Sequence, residues 1–366
     1  FFTYLGSMAC IGLYFFHGEN IVYGLACFVL ASIGYAGALV FYNGFLPEIA
    51  TPDRHDLISA RGYALGYIGS VILLIISLVN ISQVAWFFDV EGYAAELQQG
   101  DASLTAAVAL EEATSHYEVL ATRLSFLCVG VWWIGFSQIA FYFLKDEPTG
   151  NAINSKTMGK GFRELWLVWK ELEEMKSLKR FLGAFFFYSM GVQTVMVLSP
   201  LFGKKEIGLA DDAMIGLLLL IQFIAIPGAY LFAWLSKVRG NKLSIMSILV
   251  LWIIICVGAY FTQTTMQFFI LGGLVGFTMG GIQSLSRSTY SKLLPDDTHD
   301  TASFFSFYDV SEKIAITLGT FSFGVIAELS TMRDSSIAIG IYFIIGILIL
   351  YTTPMVKKSL EGHPTP

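Results

Sequence analysis

Asp309, Glu312 and Lys313 form the one charge cluster inside an apolar stretch of this chain. An ionisable side chain in the middle of a membrane span costs roughly 2.5 to 3.5 kcal/mol to insert, so such residues mark sites of proton or ion chemistry by default. At i and i+4 of a helix, Asp309 and Lys313 can face each other and offset one another's burial. A carboxyl that exchanges its proton only when open to one side can couple protons to a solute. The plainer alternative is a structural pair snorkelling toward the headgroups. Uncharged polar residues offer a second chemistry. Gln193 and Thr194, near mid-span, suit the backbone or amide groups of a zwitterionic solute, against a plainer role in helix–helix hydrogen bonding.

Other chemistries lack their residues. Cys10, Cys27, Cys128 and Cys256 each fall in an apolar stretch and never as a C-x-x-C pair, so they read as buried small hydrophobes. His17, His55, His116, His299 and His363 lie in loops or the tail with no second ligand at i+3 or i+4, and no metal site is expected. No Gly-rich loop carries the Lys and Ser/Thr that cradle phosphates, so neither ATP nor any other cofactor is expected. A membrane-embedded enzyme would need a nucleophile and base or paired metal ligands within the spans, and these are missing.

The elements that position these residues are apolar. Of 366 residues, 55% are hydrophobic and 14% charged, against roughly a quarter charged in soluble domains. The mean hydropathy is +0.66. A soluble multidomain enzyme is excluded, and a net charge of −6 argues against nucleic acid as a partner. A span needs about 20 apolar residues. Ten segments qualify or nearly do, at 1–16 (short), 21–43, 61–86, 124–144, 181–203, 213–236, 244–262, 266–290, 303–328 and 337–356.

Lys and Arg sort by loop, which sets orientation. One set of alternate loops, with the C-terminal tail, carries most of them, including Arg54, Arg61, Lys145, Lys156 to Arg180, Lys237, Arg239, Lys242, Arg287, Lys292, Lys357 and Lys358. The other set holds only Arg123, Lys204, Lys205 and Arg333. The first set is assigned to the cytoplasm, which places both termini inside. Residues 87–122 are then external, their acids on a solvated helix. Residues 145–180 form a central cytoplasmic loop in which Leu165, Trp169, Leu172 and Met175 make one apolar helix face, able to lie in the membrane interface or to pack on neighbouring loops.

Tyr42-x-x-x-Leu46-Pro47-Glu48 recurs six spans later as Tyr290-x-x-x-Leu294-Pro295-Asp296. Six-helix halves related in this way are the architecture of major facilitator transporters. Four spans precede the central loop and six follow it. The expected organisation is therefore an all-α membrane protein of ten visible helices out of twelve. It comprises a first half-bundle at 1–144 lacking its first hairpin, the central loop at 145–180, and a complete second half-bundle with its tail at 181–366. The turn from Ala233 to Lys242 is similar to that superfamily's inner-loop signature, with Gly240 at the turn, Lys242 at a helix start and Ser236 in place of the acid.

The runs FYNGFLPEIA (Phe41–Ala50), SARGYALGYIG (Ser59–Gly69), YSMGVQTV (Tyr188–Val195), GGIQSLSRSTY (Gly280–Tyr290) and FFSFYDVSEK (Phe304–Lys313) resemble the vacuole-effluxer-like branch of the major facilitator superfamily. Ser189 and Met190 stand where many members carry a polar-acidic pair, so a coupling role for that acid does not carry over. The resemblance implies that the second, fifth and eighth visible spans face a central cavity. Its polar candidates are then Tyr42, Asn43, Tyr188, Gln193, Thr194 and Gln283, of which Tyr42, Asn43 and Gln283 lie toward the cytoplasmic ends, where a gate is expected. Arg61 and Arg287 at span boundaries, with Glu48 or Asp296, are candidates for closing it; topology anchoring explains the arginines equally well. The implied function is secondary transport of a small solute, an amino acid, by a monomer in the bacterial inner (plasma) membrane among its lipids, with protons as the coupling candidate. The alternative is a carrier of another metabolite, or a receptor of the same fold that does not transport.

Overall fold

The computed structural model describes residues 1–101, 103–144, 157–295 and 301–354. Among these the regular elements are helices and no strand occurs: α1 (Phe2–Gly12), α2 (Ile21–Gly44), α3 (Leu46–Ile49), α4 (His55–Ser82), α5 (Val84–Phe87), α6 (Val90–Gly100), α7 (Ala106–Phe143), α8 (Thr157–Glu174), α9 (Lys176–Phe202), α10 (Asp211–Arg239), α11 (Asn241–Phe261), α12 (Thr265–Leu293), α13 (Thr301–Leu329) and α14 (Met332–Thr352). Nine of the described helical segments are long and apolar enough to cross a membrane. They match the expected spans after the first. The segment expected at 1–16 is a shorter apolar helix, Phe2–Phe15, that falls short of a full crossing.

Helix ends follow local chemistry. Thr264 and Gln267 form a reciprocal capping box at the start of α12, and Asp89, Thr105 and Thr331 cap α6, α7 and α14 through their side-chain oxygens. Pro200 lies inside α9, which ends at Phe202, runs on as a π-turn over Gly203–Ile207 and stops at Gly208 with φ of +70°.

The chain divides into two compact units. The first comprises Phe1–Tyr42 and the chain from Gly69 through α7; the second comprises Asn43–Ile68 and α8 to α14. In the first unit, α1 and α7 approach closely because Gly130 leaves room for the Ser7 carbonyl and Ile11, and Gly6 lies under the Trp133 ring. The acidic segment 87–122 is two helices. Val90 and Ala94 of α6 pack on Ala109, Ala113 and Ala121 of α7, and Phe88 stacks on Tyr117 at 4.9 Å.

In the second unit α9, α11, α13 and α14 enclose Phe181, Phe185, Tyr188, Trp252, Phe305 and Phe343, all almost fully buried. On α14, Ile339, Phe343 and Leu350 face this core while Ile341, Ile344 and Leu348 are exposed, as expected of a helix with one side toward lipid. The Gly272-x-x-x-Gly276-x-x-x-Gly280 stripe of α12 lies against α10: a Cβ at Gly276 would meet the Ile221 carbonyl, and one at Gly280 the Ala225 carbonyl. Gly228, beside Pro227 in α10, makes room for the Phe277 carbonyl in return. Part of α8's apolar surface packs on protein while Trp166 and Trp169 stay about half exposed. Val168 and Leu172 are buried, and Trp169 lies 6.1 Å from the Phe307 ring of α13.

Candidate functional site

Polar side chains from α2, α4, α9, α12 and α13 meet within the second unit. Asp309, on α13, is 6% exposed; one carboxylate oxygen, Oδ1, accepts from Asn43 Nδ2 at 3.3 Å, and the other, Oδ2, is buried without a hydrogen-bond partner. Asn43, at the end of α2, turns its own oxygen to Arg287 Nη1 at 3.4 Å. Arg287, on α12 and 3% exposed, donates from Nε to Ser59 Oγ at 3.0 Å and from Nη2 to the Ser59 carbonyl at 3.3 Å. Its guanidinium lies 4.8 Å from the centre of the Tyr63 ring, within cation–π range. Ser59, on α4, in turn donates to the Ser284 carbonyl at 2.8 Å. A buried cation and a buried anion thus face each other across one amide.

Three further links join the same elements. Gln193 of α9 donates to Glu312 at 2.8 Å. Tyr188 and Ser286 share a hydrogen bond of 2.7 Å, and Tyr67 of α4 donates to Gln283 at 2.6 Å. Aromatic rings fill the space between, with Phe185 stacked on Tyr308 at 4.1 Å.

At the tips of the helices carrying the basic loops lies a second cluster. Asp56 opens α4 and is 7% exposed; it pairs with Lys292 of α12 at 2.6 Å and accepts from Ser236 Oγ at 2.5 Å and from Asn241 Nδ2 at 2.8 Å. Asn241 also bonds Thr289 at 2.8 Å and accepts from Lys292 at 3.0 Å. An acid does meet Ser236, from α4: Asp56 accepts its hydroxyl hydrogen bond. Gly240, with φ of +84°, makes the turn between α10 and α11. Lys242 donates to the carbonyls of Tyr351 at 2.6 Å and Thr353 at 3.0 Å, capping α14.

The other candidates fall as follows. Thr194 is fully buried, its hydroxyl unpartnered and facing Gly319, where a Cβ would collide with it. Glu48 accepts from Thr301 at 3.1 Å; it does not pair with Arg61 or Arg287 among the described ion pairs. Arg61 and Lys313 are exposed. Asp309 bonds Asn43, and no Asp309–Lys313 ion pair occurs among the described ones, although the exposed Lys313 lies near enough for its charge to act on Asp309. Tyr42 is 47% exposed and belongs to the first unit. Asp296 lies outside the described residues. Sequence reasoning missed Asp56, Ser59, Tyr63, Tyr67, Asn241 and Lys292. Ser59, Tyr63 and Tyr67 repeat every fourth residue through the SARGYALGY run, which places them on one helix face.

Comparison with known proteins places these residues in context. A family model described as "Vacuole effluxer Atg22 like" matches residues 1–362. The uncharacterized MFS-type transporter YxiO of Bacillus subtilis (strain 168) is 32% identical over 362 residues, covering 97% of this chain and 76% of that protein. Autophagy-related protein 22-1 of Aspergillus niger is 24% identical over 84% of this chain and 50% of its own length, so the chain spans about half of such fungal relatives. Among solved structures, the E. coli fucose:proton symporter FucP aligns with a TM-score of 0.67 at 12% identity, covering 97% of this chain and 82% of that one. The human organic anion transporter MFSD10 aligns with a TM-score of 0.55 at 13% identity, covering 95% and 76%. Likeness at such identities speaks for the fold.

Proposed function

The chain belongs to the vacuole effluxer Atg22-like family and has the fold of major facilitator transporters, and from that premise we propose that it is a secondary carrier moving a small solute, an amino acid, by alternating access. It is a multi-pass integral membrane protein of a transporter family rather than an enzyme. The observation that carries the reading is the polar bridge from segment 43–68 to α10, α12 and α13, through Asn43 and Asp309, Ser59 and Arg287, and Asp56 and Lys292. A carrier must close one end of its path while the other is open. Hydrogen bonds and one ion pair between separate helices can be broken and remade at modest cost, about 0.5 to 1.5 kcal/mol each and more for charged groups. This bridge acts as the gate on the side of the basic loops. The excess of Lys and Arg in those loops supports assigning that side to the cytoplasm of a bacterial inner membrane, with both termini inside.

Gln193 with Glu312, Tyr188 with Ser286, and Gln283 with Tyr67 supply donors and acceptors to a zwitterionic solute. Thr194 serves as packing beside Gly319 unless α9 and α13 part. Asp309 and Glu312 are the carboxyls available to carry protons, and Arg61 anchors the topology. The protein works as a monomer surrounded by lipid. The test is uptake and counterflow by the purified protein in liposomes against a panel of amino acids, with and without a proton gradient. Saturable counterflow of one or more of them is expected. No flux of any panel member would sink the amino-acid reading, and stoichiometric binding without flux would favour a receptor.

A further inference from the structure

We propose that Asn43 is a positioning residue that ties the protonation of Asp309 to the hold of Arg287 on the gate; the inference rests on the carrier reading above. The amide is oriented, with its nitrogen donating to the Asp309 carboxylate and its oxygen accepting from the Arg287 guanidinium. Only in this sense does each end of the amide meet a complementary charge. Asn43 is 2% exposed, Arg287 3% and Asp309 6%, so neither charge has much water to fall back on.

Asp309 Oδ2 is the atom without a partner, and it is where an arriving proton binds. The step adds one proton and one O–H bond and makes or breaks no other covalent bond. It removes the negative charge at the far end of Asn43. The amide is then free to turn, and the negative charge that Asn43 sets opposite Arg287 is gone, while Arg287 keeps Ser59 and the Tyr63 ring among its contacts. The Ser59 link from α4 to α12 weakens as a result, and the proton leaves to water on the side to which the path has opened. The charged and titratable groups near Asp309 are Glu312, Lys313 and Tyr308 on α13 and Arg287 and Tyr290 on α12, with Tyr63 of α4 beyond Arg287. Glu312 is held by Gln193 of α9, so its hydrogen bond does not lead to segment 43–68. Lys313 is exposed, and its positive charge acts on both Asp309 and Glu312. Asn43 hydrogen-bonds both Asp309 and Arg287.

The experiment reads gate opening directly, without solute. A Ser284→Cys reporter, buried behind the Ser59 contact, is alkylated by a water-soluble maleimide across a pH series. Modification is resolved by site with mass spectrometry, so that the four native cysteines do not interfere. Each rate is divided by that of the same reporter in an Asp309→Asn background, which removes the reagent's own pH dependence. The ratio is expected to fall about 5-fold or more from acid to alkaline pH, a range typical of site-to-site coupling. With Asn43→Leu added it is expected to stay flat within about 2-fold. A pH dependence that survives Asn43→Leu overturns the proposal, as does a flat ratio in the parent. If Asn43→Leu does not accumulate, Asn43→Ser, too short to reach both partners, is read by the same criterion. Loss of flux with intact pH gating would count against the carrier reading alone.

Discussion

Asp309 and Glu312 are three residues apart on α13, yet they belong to different circuits: one reaches α12 through Asn43, the other reaches α9 through Gln193. This separation sorts their expected phenotypes. Asp309→Asn keeps a hydrogen-bonding group but fixes a neutral state, so the pH dependence of uptake should flatten, with the acid-like behaviour retained at alkaline pH; a variant with an unchanged pH profile would contradict this. Gln193→Leu leaves Glu312 buried without its donor. Transport by that variant should drop about tenfold or more, consistent with a loss of about 1.5 to 3 kcal/mol for a bond to a charged group, as measured by initial rates of counterflow. The polar residues were legible because they stand against an apolar background in which any unpaired group is costly. Asp56, Ser59 and Lys292 were not, since polar and charged residues at helix ends are ordinary. The substitution of Ser236 for the signature's acid pointed away from a latch, and only tertiary packing shows Asp56 approaching from α4. The i, i+4 spacing of Asp309 and Lys313 brings the lysine's charge to bear on Asp309, but the carboxylate's hydrogen bond goes to Asn43, which no local pattern signals.

Helices carry their own tests. The face of α12 that meets α10 has no room for a side chain at Gly276 or Gly280. Gly276→Val should therefore force the two helices apart, destabilise the protein by about 1 to 3 kcal/mol, and lower the midpoint of thermal unfolding in detergent; an unchanged midpoint would show that the helices are not so close. Gly240→Ala places a Cβ on a residue with φ of +84°, and a smaller loss, about 1 kcal/mol, is expected by the same measurement. Apolar runs of about 20 residues made the spans readable, and the small-residue stripe predicted close packing. What could not be read was length at low contrast. The segment at 1–16 is short as expected, but α7 begins at Ala106, well before its apolar portion, because alanines on one face let it continue as a docking surface for α6. The amphipathic face of α8 is compatible with lipid and with protein: Leu172 is buried against protein, whereas Trp169 keeps about half its surface exposed.

For the whole molecule, the family follows from a match along nearly the entire chain, whereas solute, direction and coupling depend on a few side chains whose partners come from distant positions. Positions 43 and 309 are 266 residues apart in sequence, and no local pattern signals such a pairing. The central claim is that segment 43–68 opens and closes against α12 and α13 during transport. Gly44 and Ala302 test it most directly, because a Cβ on Gly44 would lie 3.8 Å from the Ala302 Cα, close enough for a disulfide between paired cysteines. With Gly44→Cys and Ala302→Cys together, oxidation should abolish counterflow in liposomes and reduction should restore it, while each single variant stays insensitive to oxidant. Counterflow that continues at its full rate in the cross-linked protein would contradict the account.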